Sequence, residues 1–119
     1  TAVDTFKAFY DLADLKRACM AALEGFDALA VPTAPIFPTL AEMEADPLGP
    51  NSRLGTYTNF VNLLDLAAIS IPGPFRGDGL PAGLTLIGRA GSDLALAGLA
   101  ARLFPGTGGA FPRPVAAER

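Results

Sequence analysis

Apolar residues recur along this chain with two different habits, and the switches between them divide it into elements. Leu12, Leu15, Cys19, Leu23 and Phe26 follow one another at steps of three and four, and Phe6, Phe9, Ala13 and Met20 broaden the same stripe. That spacing predicts an amphipathic helix. Asp4 or Thr5 is its expected N-cap, the helical pattern runs to Phe26, and Gly25 is its natural stop. Lys7, Asp11, Lys16, Arg17 and Glu24 fall mostly outside the stripe.

The other habit is the short, unbroken apolar run. Residues 28–31, 68–71 and 84–87 show little alternation of polar and apolar positions. Each is expected to be a strand of a sheet covered on both faces. Pro32-Thr33-Ala34-Pro35 ends the first run and Pro72 stops the second. Gly77-Asp78-Gly79 is a strong reversal signal between the second and third, so those two are expected to pair as an antiparallel hairpin.

Shorter patterns fill the gaps. Thr39 and Glu42 have the spacing of a capping box, which predicts a brief helix over 39–45. Residues 46–50 are turn-rich, and 51–55 is expected to be a polar loop. From 56 to 65, Tyr57, Phe60, Val61 and Leu64 sit at helical spacing with Asn59 and Asn62 between them. Ser92 is the expected cap of a last helix that buries Leu96, Leu99, Ala100 and Leu103 and ends at Phe104-Pro105-Gly106. Residues 105–119 are rich in Gly, Pro and Ala and are expected to be a tail or linker, which leaves 1–104 as the folded part. The order of elements implies α/β layers around a small sheet. Three short strands that each want neighbours ask for more sheet than the sequence supplies.

Composition narrows the function classes. Half of the 119 residues are apolar, enough for a core. The net charge of −3 provides no basic footprint for nucleic acid or for an anionic membrane surface. No apolar run approaches the length needed to span a bilayer. The chain begins without Met and reads as cut from inside a longer polypeptide. Cys19 is the single cysteine, so no intrachain disulfide can form, which fits a reducing, cytoplasmic setting. The absence of histidine excludes a Ser-His-Asp triad, a Cys-His pair and the usual His-containing zinc sites. With one cysteine, all-Cys metal sites are excluded too, and no cofactor is expected.

Few residues offer chemistry. Cys19 lies on the apolar stripe and reads as a small buried hydrophobe. Glu42, Glu44 and Asp46 have no facing acidic cluster and read as a solvated face. The glycines do not form a phosphate loop, because no Gly-Lys-Ser/Thr follows a strand. Four residues stand as candidate substrate contacts. Thr33 leaves the end of a buried strand, where open α/β sheets bind ligands, with a local turn hydroxyl as its other reading. Arg53 could grip a carboxylate with its planar fork, or be a surface arginine. Tyr57 and Asn59 could face substrate, or pack in the core and bind local backbone.

Three runs taken together carry a resemblance: Asp27-Ala28-Leu29-Ala30-Val31-Pro32-Thr33-Ala34-Pro35, then Asn62 through Pro72, then Gly79 through Gly88. They resemble the C-terminal part of the amidase signature family. The run from Leu54 to Leu66, with Leu-Gly-Thr-Tyr-Thr-Asn-Phe at its start, is similar to the allophanate hydrolase branch of that family. The resemblance covers about residues 1–104 and implies an α/β/α sandwich around a large mixed sheet, of which this chain holds the C-terminal strands. It implies hydrolysis of a small-molecule amide by a Ser-cisSer-Lys triad. In that triad a lysine acts through a bridging serine to deprotonate the nucleophilic serine, and backbone amides stabilise the oxyanion. In this branch the substrate is allophanate, split in urea degradation to ammonia and a carboxylated carbamate, which decays to carbon dioxide and a second ammonia.

The signature loop itself is missing. Lys7 and Lys16 lie on a helix with no Gly-Gly-Ser-Ser to partner them. The triad, the oxyanion loop and the carboxylate anchors of the family therefore belong upstream of Thr1, and no catalytic residue carries over to this chain. The partner the sequence asks for is the upstream part of an amidase domain, and homo-oligomerisation is left open. Two alternatives stand beside this reading. One is the equivalent piece of another amidase-signature enzyme, such as the A component of a transfer-RNA amidotransferase. The other is an interaction module that keeps an amidase-like fold without catalysis.

Overall fold

The computed structural model describes residues 1–104; the expected tail over 105–119 lies outside them. The first helix, α1 (Ala2–Ala22), is capped by Thr1, one turn earlier than Asp4 or Thr5. The reason is reciprocal hydrogen bonding. The Asp4 amide donates to Thr1 Oγ1 at 3.3 Å, and the Asp4 carboxylate accepts from the Thr1 hydroxyl and amine. The helix ends at Ala22 rather than reaching Phe26, because the chain turns through Leu23 to Gly25, which takes φ +82°.

The burial of α1 also differs from what its stripe predicts. Its stripe is apolar, yet none of its residues is buried. Leu12, Cys19, Met20 and Leu23 are half-buried, while Phe6, Phe9 and Leu15 stay more than 60% exposed (61%, 61% and 63%). The close packing among the described elements involves the strands and the last helix instead. The link from α1 to the rest includes an ion pair, Lys16 Nζ to Asp65 Oδ2 at 3.1 Å. Asp65 holds φ 55° in the turn after α4 (Asn59–Leu63), a left-handed position that aspartate tolerates better than most residues.

Three strands form the sheet in the order β1 (Leu29–Pro32), β3 (Pro81–Gly88), β2 (Ala67–Phe75), with both pairings antiparallel. The expected hairpin is present, with Ile69 opposite Leu86, Ser70 opposite Thr85 and Ile71 opposite Leu84. Its reversal lies at Gly77–Gly79. Gly79 takes φ +80°, the Gly79 amide donates to the Arg76 carbonyl at 2.9 Å, and the Leu80 amide donates to Asp78 Oδ1 at 3.2 Å. Pro72 does not stop β2, which continues to Phe75 through an irregularity after Pro72. β2 lies at the sheet edge, where a residue without an N–H costs no ladder bond on its free side.

Burial follows position in the sheet. Central β3 buries Thr85, Leu86, Ile87 and Gly88 in succession, as a strand covered on both faces should. The edge strands do not match that expectation. β2 buries Ala67 and Ile71 on one face and exposes Ala68 and Ser70 on the other, and Leu29 of β1 is 38% exposed. The covered face meets α5 (Asp93–Leu103), whose Leu96 and Ala100 join Ala67, Ile71 and Leu86 in one cluster. Leu99 packs against that cluster at half burial, whereas Leu103, expected inside, is 53% exposed. Ser92 occupies the cap position of α5, but its hydroxyl makes no capping bond and is buried without a partner among the described residues.

The stretch before β2 is more helical than expected. α2 (Leu40–Ala45) carries the capping box of Thr39 and Glu42. Residues 51–55, expected as a polar loop, fall largely in α3 (Gly49–Leu54). Asp46 Oδ1 accepts from the amides of Leu48 and Gly49, both at 3.0 Å, and Pro50 supplies a helical φ in the first turn. The helix expected over 56–65 shrinks to α4, whose Val61 is buried, with Leu64 buried just beyond it.

Candidate functional site

Two polar constellations stand out, and each holds one of the four candidate residues. The first is a hydroxyl cluster across all three strands. The Thr33 amide donates to the Gly83 carbonyl at 2.9 Å, which fixes the exit of β1 against β3. Thr33 Oγ1 then lies 2.8 Å from Thr85 Oγ1 and 2.9 Å from Ser70 Oγ. Thr85 is only 4% exposed, so this pairing satisfies a buried hydroxyl. Among the described residues no lysine or carboxylate joins the three, so the cluster has no base there with which to activate a nucleophile. Its chemistry is that of positioning.

The second is an open cavity of about 580 Å³ between the Pro35–Pro38 segment, α2, α3 and the β2–β3 reversal. Phe37, Glu42, Arg53, Arg76 and Asp78 contribute to its wall. The guanidinium of Arg76 lies over the Phe37 ring, 4.9 Å from its centroid, and pairs with Asp78 at 2.9 Å. Glu42 accepts from the Thr39 amide at 2.7 Å and from the Thr39 hydroxyl at 2.9 Å. The Thr39 amide, then the hydroxyl, hold the Glu42 carboxyl below the usual carboxylate range, and the nearby charge of Arg53 adds a smaller push in the same direction. Arg53 itself makes no ion pair among the described residues.

The four candidates are therefore not gathered into one place. Thr33 belongs to the hydroxyl cluster and Arg53 to the cavity, while Tyr57 and Asn59 line neither and are exposed. Arg76, Phe37 and Asp78 carry no mark in the sequence as candidates. The available signal is Arg76 placed two residues before Asp78 in a tight reversal, a spacing that lets the two charges meet. Among the described residues no three potential ligands gather to hold a metal ion, and no helix is long and apolar enough to cross a membrane.

Residues 3–96 match the protein family described as Amidase. Over 103 residues, 87% of this chain, the sequence is 48% identical to a urea amidolyase of Lachancea kluyveri. Among solved structures, an allophanate hydrolase of Kluyveromyces lactis superposes with a TM-score of 0.83 at 49% identity, again over 87% of this chain. The A component of a glutamyl-tRNA(Gln) amidotransferase of Alkaliphilus metalliredigens is 43% identical over 68 residues, 56% of the chain. The chain spans only 6% of the Lachancea protein and 17% of the Kluyveromyces chain.

Proposed function

The chain belongs to the amidase family, and on that premise we propose that residues 1–104 are the C-terminal part of an amidase domain that hydrolyses allophanate. The observation that carries this reading is identity near one half to an allophanate hydrolase and a urea amidolyase over 87% of the chain, joined to a TM-score of 0.83. The role of the chain in that domain is structural and pocket-forming. β1, β3 and β2 supply strands, and the uncovered face and edges of this sheet receive the upstream layers. Nucleophile, bridging serine and lysine come from the upstream part of the domain. With that part in place, Tyr57 and Asn59, exposed at the opening of α4, line the substrate pocket. Thr33 supports the sheet from behind rather than touching substrate, because its hydroxyl already serves Thr85 and Ser70.

A second reading, the equivalent part of a transfer-RNA amidotransferase, draws on the 43% identity to the Alkaliphilus protein, but that match covers a smaller share of the chain. One experiment separates the two. The parent protein is supplied with allophanate or with glutamine and the ammonia released is measured. Release from allophanate alone is expected. Release from glutamine alone favours the second reading, and release from neither overturns both.

A further inference from the structure

We propose that Gly55 is a positioning residue for the Asn59 carboxamide. The missing side chain at Gly55 leaves the space in which that amide rests, and so sets the direction in which it meets substrate. This rests on the reading above that Asn59 lines the substrate pocket.

The turn between α3 and α4 brings the two residues together. The Gly55 carbonyl accepts from the Asn59 amide at 2.8 Å and from the Thr58 amide at 3.0 Å. A bond from residue i to residue i−4 stacks the later side chain over the earlier residue, because helical side chains lean toward the N-terminus. Asn59 is the first residue of α4, and its carboxamide leans back over Gly55. A Cβ built on Gly55 would fall on that carboxamide, and its three nearest neighbours are Oδ1, Cγ and Nδ2 of Asn59. These atoms are the end of a side chain that can swing away.

Backbone conformation does not call for glycine here. Gly55 takes φ −83° and ψ 2°, the geometry of the second central residue of a type I turn, which alanine also adopts. Gly79 is the contrast, since its φ of +80° in the β2–β3 reversal does favour glycine. An added methyl at Gly55 therefore changes the place of one polar side chain and little else. That side chain carries two donors and an acceptor in one plane. It can pair edge to edge with an amide substrate only when held in the matching orientation. Asn59 is exposed in this chain, so its amide edge is open to a ligand.

The test measures kcat and KM for allophanate in the parent protein and in its Gly55→Ala, Asn59→Ala and doubly substituted forms. Each single substitution should raise KM about three- to tenfold, the range for one neutral hydrogen bond, with kcat within about twofold. Adding Gly55→Ala to Asn59→Ala should raise KM no further, because the amide it displaces is already gone. Gly98→Ala on α5, where an added Cβ meets nothing within 4 Å, should leave both constants unchanged. Gly55→Ala should not lower the urea midpoint. A raised KM in Asn59→Ala beside an unchanged one in Gly55→Ala overturns the positioning role and leaves the pocket reading intact. An unchanged KM in Asn59→Ala, or a parent protein that does not hydrolyse allophanate, overturns both. Additive losses in the double substitution, or a lowered urea midpoint for Gly55→Ala, would assign Gly55 to the fold alone and overturn the proposal.

Discussion

Thr33 and Thr85 meet through their hydroxyls at 2.8 Å, although β1 and β3 lie far apart in the sequence. Gly83 makes the contact possible: a Cβ there would stand 2.6 Å from Thr33 Oγ1 and 3.0 Å from Thr33 Cβ. The pairing thus depends on one residue having no side chain, and it ties the first strand to the hairpin.

The cost of losing it can be ranked. Thr33→Val keeps the shape but strands the Thr85 hydroxyl, which is 4% exposed. An unsatisfied buried hydroxyl costs about 1–3 kcal/mol. Ser70→Ala removes only an exposed member of the cluster and should cost less, within about 1 kcal/mol. Urea denaturation of the parent domain checks the order. A larger midpoint shift for Ser70→Ala than for Thr33→Val contradicts it.

Leu96 carries the contact between α5 and the sheet and is 2% exposed. Leu96→Ala should destabilise by about 2–5 kcal/mol, the range for emptying a core leucine site. Leu96→Met, which keeps the volume, should cost under about 1.5 kcal/mol. Equal, small shifts in midpoint for the two variants would mean that α5 does not depend on this side chain for its docking.

Much of this arrangement was legible in the sequence, and the gaps have physical reasons. Gly77-Asp78-Gly79 announced the hairpin because turn chemistry is local. The box of Thr39 and Glu42 announced α2 for the same reason. α3 was missed because Asn51-Ser52-Arg53-Leu54 has no apolar stripe. Its start is set by Asp46 and Pro50, outside the segment itself. The stripe of α1 predicted a helix correctly but not its burial, since burial needs a facing surface that residues 1–104 do not provide. The cavity was illegible because Arg53 and Arg76 come to line one cavity only through tertiary packing.

Glu42 provides a pH dependence with a definite sign. Its carboxyl is held below the usual glutamate value, about 4.3, chiefly by the Thr39 amide. A depressed folded-state pKa contributes stability that is present above the ordinary value and is lost as pH falls through the lowered one. The α2 cap should therefore hold from neutral pH down through the usual glutamate range and loosen only below it. The chemical shift of the Thr39 amide followed by NMR should move with a midpoint under about 4.3. Glu42→Gln, which keeps an acceptor without a titrating proton, should flatten the curve. A midpoint at or above the ordinary value contradicts the cap geometry.

The isolated chain should neither hydrolyse allophanate nor behave as a finished domain. It has no histidine and no Gly-Gly-Ser-Ser loop, and its hydroxyl cluster has no base, so the amidase reaction lacks nucleophile and proton acceptor. Its surface points the same way. Phe6, Phe9 and Leu15 along α1 and Phe26 beyond it are 61–71% exposed, and the face of β2 away from α5 exposes Ala68. At roughly 25 cal/mol per Å² of apolar surface, each 100 Å² left uncovered withholds about 2.5 kcal/mol. A few hundred Å² is then comparable to the whole net stability of a domain, about 5–15 kcal/mol. The purified 119-residue chain should bind a dye specific for exposed apolar surface, or aggregate, and should release no ammonia from allophanate above a buffer blank. Joining the upstream amidase segment should abolish dye binding if, as proposed, that segment covers α1 and the open sheet face. A monodisperse, cooperatively unfolding chain that binds no dye would contradict the placement of these surfaces against an upstream layer, and ammonia release by the chain alone would contradict the absence of a catalytic set.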